Sequence, residues 1–294
     1  EGWMFDFESY HVADTPEDAV KLLIENPNSR LLAGGTDILV RLHEGDKAYR
    51  NLVDIHQIDQ LKQIAMEADG TIVLGSGTCF NQVAGSEIVL KYIPVLAEGA
   101  SSIGGPQVRN SATIGGNICN GAPSGDSAAP LLVLNAEVSL LGPKGIRRLP
   151  LEKFYLGPSR VDLKPAEIMT DIRIAPEQYQ GLTAHFYKYA MRKAMDIATI
   201  GCAAACRLAE GKLLDFRLAF TVAGPTPLRC PKTEKKLTGM PLNQQMIEQL
   251  KQSVLDDLNP RDSWRASKAF REHIIFTLSE QVIQKITGMV GENK

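Results

Sequence analysis

The distribution of apolar and polar positions divides the chain into three stretches of different character. The opening Phe5 to Ala13 reads as a strand. Asp14-Thr15-Pro16-Glu17 follows with a polar cap, a first-turn proline and acidic residues, which together signal a helix start. Apolar Ala19, Val20, Leu22, Leu23 and Ile24 give that helix a core face, and Asn26-Pro27 ends it. A strand at Arg30 to Ala33 then runs into the turn Gly34-Gly35-Thr36-Asp37 and the apolar run Ile38 to Leu42. Tyr49 to Ile55 reads as a strand, and Leu61 to Glu67 as a short strand or turn. Asp69-Gly70 ahead of Thr71 to Gly75 is a hairpin signal.

The second stretch is predicted to be helical over Val89 to Ser102 and again over Ser127 to Leu134, with Asp126 placed to cap the latter. Between them, Ile103 to Asp126 holds six glycines and two prolines and shows no apolar period, which predicts a long irregular loop. Ala136 to Pro150 reads as a hairpin. From about residue 176 the third stretch gives strands at Ala184 to Ala190, Ile197 to Leu208 and Phe216 to Ala223, with a hairpin turn at Glu210-Gly211. Residues 243–289 are helical in pattern, broken at Pro260, with Ser263 to Ile275 as one amphipathic helix. Arg265 and Arg271 read as surface or interdomain charges. Strands followed by segregated helices indicate an α+β domain.

Composition narrows the class. With 294 residues, 44% hydrophobic and 22% charged positions and a formal net charge of −2, the chain reads as a soluble globular protein. That balance gives no reason to expect nucleic acid or an anionic membrane as partner. No run of 18 apolar residues suggests a membrane span, and the start lacks a signal peptide pattern, so a cytoplasmic location is expected. Glu1 to Trp3 could stand ahead of a native start at Met4. The five cysteines (Cys79, Cys119, Cys202, Cys206, Cys230) form no C-x-x-C pair, and the five histidines show no ligand spacing. Cys202 and Cys206 read as small buried residues, and no metal site is expected on this chain.

The polar members of Ile103 to Asp126 could donate and accept along an extended ligand, and glycine lets a backbone approach phosphate oxygens. An ordinary connection between subdomains is the other reading. Gly34 to Asp37 is equally open, as a phosphate turn or a plain one. Gly75-x-Gly77 runs on to Phe80, so the G-x-G-x-x-G fingerprint is missing, as is a P-loop, which makes the dinucleotide-binding Rossmann and P-loop readings both poor ones.

Leu32 to Leu39 (L-A-G-G-T-D-I-L), Thr113 to Asn117 (T-I-G-G-N), P-S-G-D ending at Asp126, Tyr187 to Arg192 and Gly224 to Arg229 together resemble the FAD-binding subunits of molybdenum hydroxylases. The resemblance spans essentially the whole chain and is nearest to the xanthine dehydrogenase branch. It implies an α+β fold with FAD extended between two α+β subdomains, as in vanillyl-alcohol oxidase (PCMH-type) flavoproteins. Those subdomains would span about 1–56 and 57–175. A C-terminal α+β domain with antiparallel sheet and helices would span 176–294.

Residue by residue, the resemblance implies that Leu32, Ala33, Gly34, Gly35, Thr36, Asp37, Ile38 and Leu39 form the first diphosphate loop. Thr36 would offer a hydroxyl and Asp37 would fix the loop or a ribose. Thr113, Ile114, Gly115, Gly116 and Asn117 would add a second set of amide donors, and Asp126 would accept from a ribose or adenine-side group. Ile103 and Met169 would flank the flavin ring. Lys188 would place a cation beside it, or else point into water as an ordinary strand lysine. Arg192 and Asp196 match nothing assignable. The resemblance further implies electron transfer from 2Fe-2S clusters on a small partner subunit to NAD+. A large partner subunit would carry the molybdenum cofactor. Subunits for aldehyde, nicotinate or carbon monoxide dehydrogenases are the alternative, and a flavin-free assembly scaffold is a third reading that the two intact glycine pairs oppose.

Overall fold

Three sheets carry the fold, and the first is assembled around a capped helix. In this computed structural model, which describes residues 7–289, strand β1 (Ser9–Val12) leads to α1 (Pro16–Glu25). Thr15 caps α1 by accepting from the Asp18 amide at 3.1 Å, and Ala19, Val20 and Leu23 are buried. The expected strand start at Phe5 and Asp6 lies outside the described residues. After β2 (Arg30–Leu32) the apolar run at Ile38 becomes a helix, α2 (Ile38–His43), before β3 (Asn51–Asp54). Both outer strands pair parallel with β3, in the order β1-β3-β2, as crossover helices require.

The second unit begins with the hairpin of β4 (Ile64–Met66) and β5 (Ile72–Gly75), turned at Gly70 with φ +91°. A run of short helices follows: α3 (Phe80–Gly85), α4 (Glu87–Tyr92) and α5 (Pro94–Ser101). The single helix expected over Val89 to Ser102 is therefore two, because Pro94 has no N–H to continue α4 and Ile93 leaves helical geometry.

The loop expected from Ile103 to Asp126 is likewise corrected. It contains α6 (Pro106–Ser111) and α7 (Ile114–Asn120). Each is too short for a period to show; α7 is anchored by Ile114 and Ile118, one turn apart and fully buried, and closed by Gly121 at φ +64°. Next, α8 (Ala128–Val133) is buried on every side. Strands β6 (Glu137–Gly142) and β7 (Gly145–Pro150), helix α9 (Leu151–Phe154), the β8 (Tyr155–Gly157) and β9 (Arg160–Val161) ribbon and β10 (Ile168–Ile174) complete the unit. Its antiparallel sheet runs β4-β5-β10-β6-β7.

The C-terminal sheet is antiparallel: β11 (Thr183–Tyr189), β12 (Ile200–Ala209), β13 (Lys212–Thr221) and β14 (Leu228–Arg229), in that order. Glu210 and Gly211, both at positive φ, make the expected turn. Strand β12 is covered on both faces. Ala203 and Ala205 join the core formed with α5 and α8, while Cys202, Ala204 and Cys206 join the core under the last helices. Its small side chains let helices approach from both sides.

Those helices are α10 (Pro231–Leu237), α11 (Gln244–Ser253) and α12 (Lys268–Thr287). The amphipathic helix expected from Ser263 starts instead at Lys268, where the Ser267 hydroxyl accepts from the Phe270 amide. Arg271 is not a surface charge. It is 2% exposed, and its guanidinium donates to the Thr199 carbonyl and, at 2.8 Å, to the Ser263 hydroxyl.

Candidate functional site

The first glycine turn joins β2 to α2 and lies against the end of α6. A side chain on Gly34 would place its Cβ 1.9 Å from the Ser111 carbonyl oxygen, so only glycine permits this approach. Gly35 takes φ +75°. Asn120, at the end of α7, donates to the Asp37 carboxylate at 3.3 Å and ties the two glycine motifs together. Among the described residues, the N–H groups of Gly34, Gly35, Thr36, Asp37 and Ile38 have no acceptor in the protein. These residues are half-buried or exposed at the start of α2, so the row of donors is open to a ligand oxygen.

The second motif sits otherwise. Ile114 N–H donates to the Thr78 carbonyl at 2.9 Å and Gly115 N–H to the Ser76 carbonyl at 2.8 Å. Gly116 N–H donates to the Thr113 hydroxyl, and Asn117 N–H to the Thr113 carbonyl. The amide donors expected here are thus already engaged. A Cβ on Gly115 would fall 2.5 Å from the Ser76 Cβ, whereas one on Gly116 would meet only the Thr113 hydroxyl oxygen. Gly115 lets α7 pack on Ser76; Gly116 offers a bare, exposed backbone.

Both motifs line one cleft of about 1170 Å³. That exceeds the roughly 300–1,000 Å³ of ordinary small-molecule pockets and suits an extended ligand. Of the residues singled out from sequence, it brings together Ala33, Gly34, Gly35, Thr36, Asp37, Ile38, Ile103, Thr113, Gly115, Gly116, Asn117 and Met169. Ile103 and Met169 are buried there, and the Arg109 guanidinium holds the Ile103 carbonyl at 2.9 Å. Leu32, Leu39, Ile114, Asp126 and Lys188 stand outside the lining.

Asp126 and Lys188 form a buried pair of their own. The Lys188 ammonium donates to the Asp126 carboxylate at 2.6 Å and to the Ser102 carbonyl at 2.9 Å, one residue before Ile103. Asp126 therefore does not cap α8; Ser127 occupies that position without a capping bond. Its second carboxylate oxygen is buried with no partner. Burial pushes the carboxyl up to about 6, against the pull of the Lys188 charge. Lys188 is thus no water-facing strand lysine. Asp196 accepts from the Arg192 amide and pairs with Arg265, which holds the following loop.

Residues that sequence reasoning passed over also line the cleft. The Ser76 and Ser29 hydroxyls are buried there without hydrogen-bond partners. Ser76 had a signal in its flanking Gly75 and Gly77; Ser29 had none. Cys119 lines the cleft too, but burial pushes its thiol up to about 12, which removes it as a nucleophile. Free amides at Gly34 to Ile38, an adjacent orphaned hydroxyl and the cleft's size all fit the diphosphate of a dinucleotide such as FAD.

Comparison with known proteins agrees. Residues 5–177 match the FAD binding domain in molybdopterin dehydrogenase, and residues 185–286 match the CO dehydrogenase flavoprotein C-terminal domain. The xanthine dehydrogenase FAD-binding subunit of Escherichia coli O157:H7 is 48% identical over 288 residues, covering 98% of this chain and 99% of that one. The carbon monoxide dehydrogenase medium chain of Hydrogenophaga pseudoflava is 33% identical, over 89% of this chain and 91% of that one. A solved structure of carbon monoxide dehydrogenase from Hydrogenophaga pseudoflava superimposes with a TM-score of 0.92 at 29% identity, over 98% of this chain and 100% of the other.

Proposed function

This chain belongs to the family of FAD-binding subunits of molybdenum hydroxylases, and we propose that it is the flavoprotein subunit of a xanthine dehydrogenase. In this reading it takes electrons from 2Fe-2S clusters of a small partner and passes them to NAD+, while a large partner carries the molybdenum cofactor and hydroxylates the purine. The observation that carries the reading is the row of amides from Gly34 to Ile38, in residues that line the cleft, with no acceptor among the described residues. The 48% identity over nearly the full length to a xanthine dehydrogenase subunit supports the choice of branch. The names of the relatives, subunit and medium chain, support the need for partners.

When bound, FAD supplies the exchange between single electrons and hydride, which side chains cannot. This chain's residues do the holding. The amides of Gly34 to Ile38 and the Thr36 hydroxyl grip the diphosphate, with Leu32, Ala33 and Leu39 shaping the loop. Gly116, with Thr113, Ile114, Gly115 and Asn117 behind it, gives the backbone surface opposite. Ile103 and Met169 exclude water from the ring. Lys188 holds a fixed positive charge at the Ile103 end, shared with Asp126.

In this reading the division of labour follows the sheets: a first domain, about 1–175 with subdomains about 1–56 and 57–175, would hold the cofactor, and a second, about 176–294, would pack against it. A cytoplasmic setting accords with the unpaired cysteines. The alternative, a subunit serving aldehydes, nicotinate or carbon monoxide, draws on the 0.92 superposition with carbon monoxide dehydrogenase. Purification with the large partner tests the choice. Hypoxanthine-dependent NAD+ reduction by a yellow complex is expected; turnover of aldehyde or nicotinate alone would move the chain to the alternative. A colourless complex would end the FAD reading.

A further inference from the structure

Two short segments of the C-terminal unit meet beside the Ile103 end of the cleft and carry an exposed face that the proposed function leaves unused. One is the loop 191–197 between β11 and β12; the other is 261–270, which leads into α12. Arg265 pairs with Asp196 at 3.8 Å, the Tyr189 and Phe270 rings lie 5.9 Å apart, and Arg271 holds the Thr199 carbonyl. The segments therefore form one surface. Met195 ties it to the cleft, because its N–H donates at 3.3 Å to the Gly104 carbonyl, one residue past Ile103. Met191, Met195, Ile197, Trp264 and Phe270 are all exposed here, a third of the large apolar side chains exposed among the described residues. Trp264 is 83% exposed, on a turn closed by reciprocal Ser263 and Ala266 backbone hydrogen bonds at 3.0 and 3.3 Å. The Arg265 guanidinium stacks on its ring at 4.1 Å. The turn is firmly held, yet it keeps a tryptophan in water, which folding alone does not favour.

The rim of this face is cationic. Asp196 is engaged by Arg192 and Arg265, Asp262 accepts from the Lys268 amide at 2.7 Å, and Glu272 pairs with the Lys268 ammonium at 3.9 Å. Lys193 and Arg261 are exposed and, among the described residues, have no carboxylate partner. Apolar side chains set among cations, rather than a continuous oily face, suit a brief, charge-steered encounter better than a permanent subunit contact. Trp, Met and Arg are the side chains that anchor protein contacts. We propose that this face docks a small acidic electron-carrier protein, which takes electrons at the ring end in place of NAD+. The inference rests on the FAD reading above and adds a protein acceptor to it. Each oxidised carrier accepts one electron, so the electron pair of the reduced, anionic flavin leaves to two carriers in turn, and its one proton goes to water.

Titration of the full chain with an oxidised plant-type 2Fe-2S ferredoxin, a small acidic carrier, tests the face, with a basic cytochrome c as the control. Ferredoxin is expected to bind at low salt and to weaken about tenfold or more between about 20 and 200 mM salt, while cytochrome c does not bind. Trp264→Ser should weaken ferredoxin about tenfold or more. Lys193→Glu with Arg261→Glu should do so by a similar factor that shrinks at high salt. Both variants should keep the parent's melting temperature and FAD content, since none of these side chains is buried. Ferredoxin binding that neither variant weakens would overturn the proposal. Self-association of the parent that Trp264→Ser abolishes would also overturn it, assigning the face to a second copy. So would ferredoxin binding that disappears once the large and small partners assemble, since the face would then belong to them. A colourless chain that binds ferredoxin with both losses would keep the docking face and remove the FAD reading. A yellow chain that binds no ferredoxin would do the reverse.

Discussion

The two glycine pairs look alike in sequence and do opposite work. At Gly34-Gly35 the amides have no acceptor among the described residues; at Gly115-Gly116 every amide from Ile114 to Asn117 already has one. The first is a donor surface. The second is a packing device with one bare face, where Gly115 admits Ser76 and Gly116 faces the cleft. A glycine doublet is thus not one signal. What separates the two is the backbone hydrogen-bond account, which composition does not carry.

The contrast breaks most visibly at Gly34. In Gly34→Ala the new Cβ meets the Ser111 carbonyl, so the turn and α6 must part. Overpacking of this kind costs about 3 kcal/mol or more, and at roughly 2–4 °C per kcal/mol the melting temperature should fall by about 6–12 °C. FAD should be lost with it, by absorbance of the purified variant. A Gly34→Ala chain with parental stability and bound FAD would place the turn elsewhere.

The second pair divides the roles more finely. Gly115→Ala should destabilise by about 1–3 kcal/mol, through contact with Ser76, while folded protein keeps its FAD affinity. Gly116→Val should do the reverse, weakening FAD on the order of 100-fold with only a few degrees lost, because Gly116 is exposed at the cleft and a Cβ there meets only the Thr113 hydroxyl oxygen. Thermal melts beside FAD titrations read both. Identical behaviour of the two variants would erase the distinction.

The smallest effect lies at Asp126, the last residue of the glycine-rich segment that starts at Ile103. Folded, its carboxyl takes up a proton near pH 6, whereas in an unfolded chain it does so near 3.8. Between those values the folded chain holds the extra proton, so this group's contribution to stability declines as pH rises from about 4 to 6. Asp126→Asn should flatten the pH dependence of the denaturation midpoint in that window by up to about one proton. An unchanged slope would mean that Lys188 keeps the carboxyl ionised throughout.

Local signals were legible before the fold was known. Thr15-Pro16 starts a helix because the cap and the fixed φ act within four residues, and Asp69-Gly70 and Glu210-Gly211 turn chains for equally local reasons. Most of the proposed cofactor loop was legible too, since twelve of the singled-out residues meet at the cleft. The helices α6 and α7 were not, because six or seven residues show no period and their anchors, such as Ile114 and Ile118, are fixed by tertiary contact. The Asp126–Lys188 pair joins residues far apart in the chain. Arg271 looked like a surface charge because its partners are a distant carbonyl and a serine hydroxyl eight residues earlier, which the charged run around it does not mark.

Helix α8 carries a consequence for how the protein is made. Its six residues are apolar and wholly buried, and β12 and β13 form much of their cover. Synthesis runs from the N-terminus, so α8 leaves the ribosome about seventy to ninety residues before those strands exist. Until they arrive the nascent chain presents an apolar stretch immediately after the segment that ends at Asp126, too short to hold as a helix by itself. The cofactor unit matures late, and its last wall is supplied by sequence that has not yet been translated.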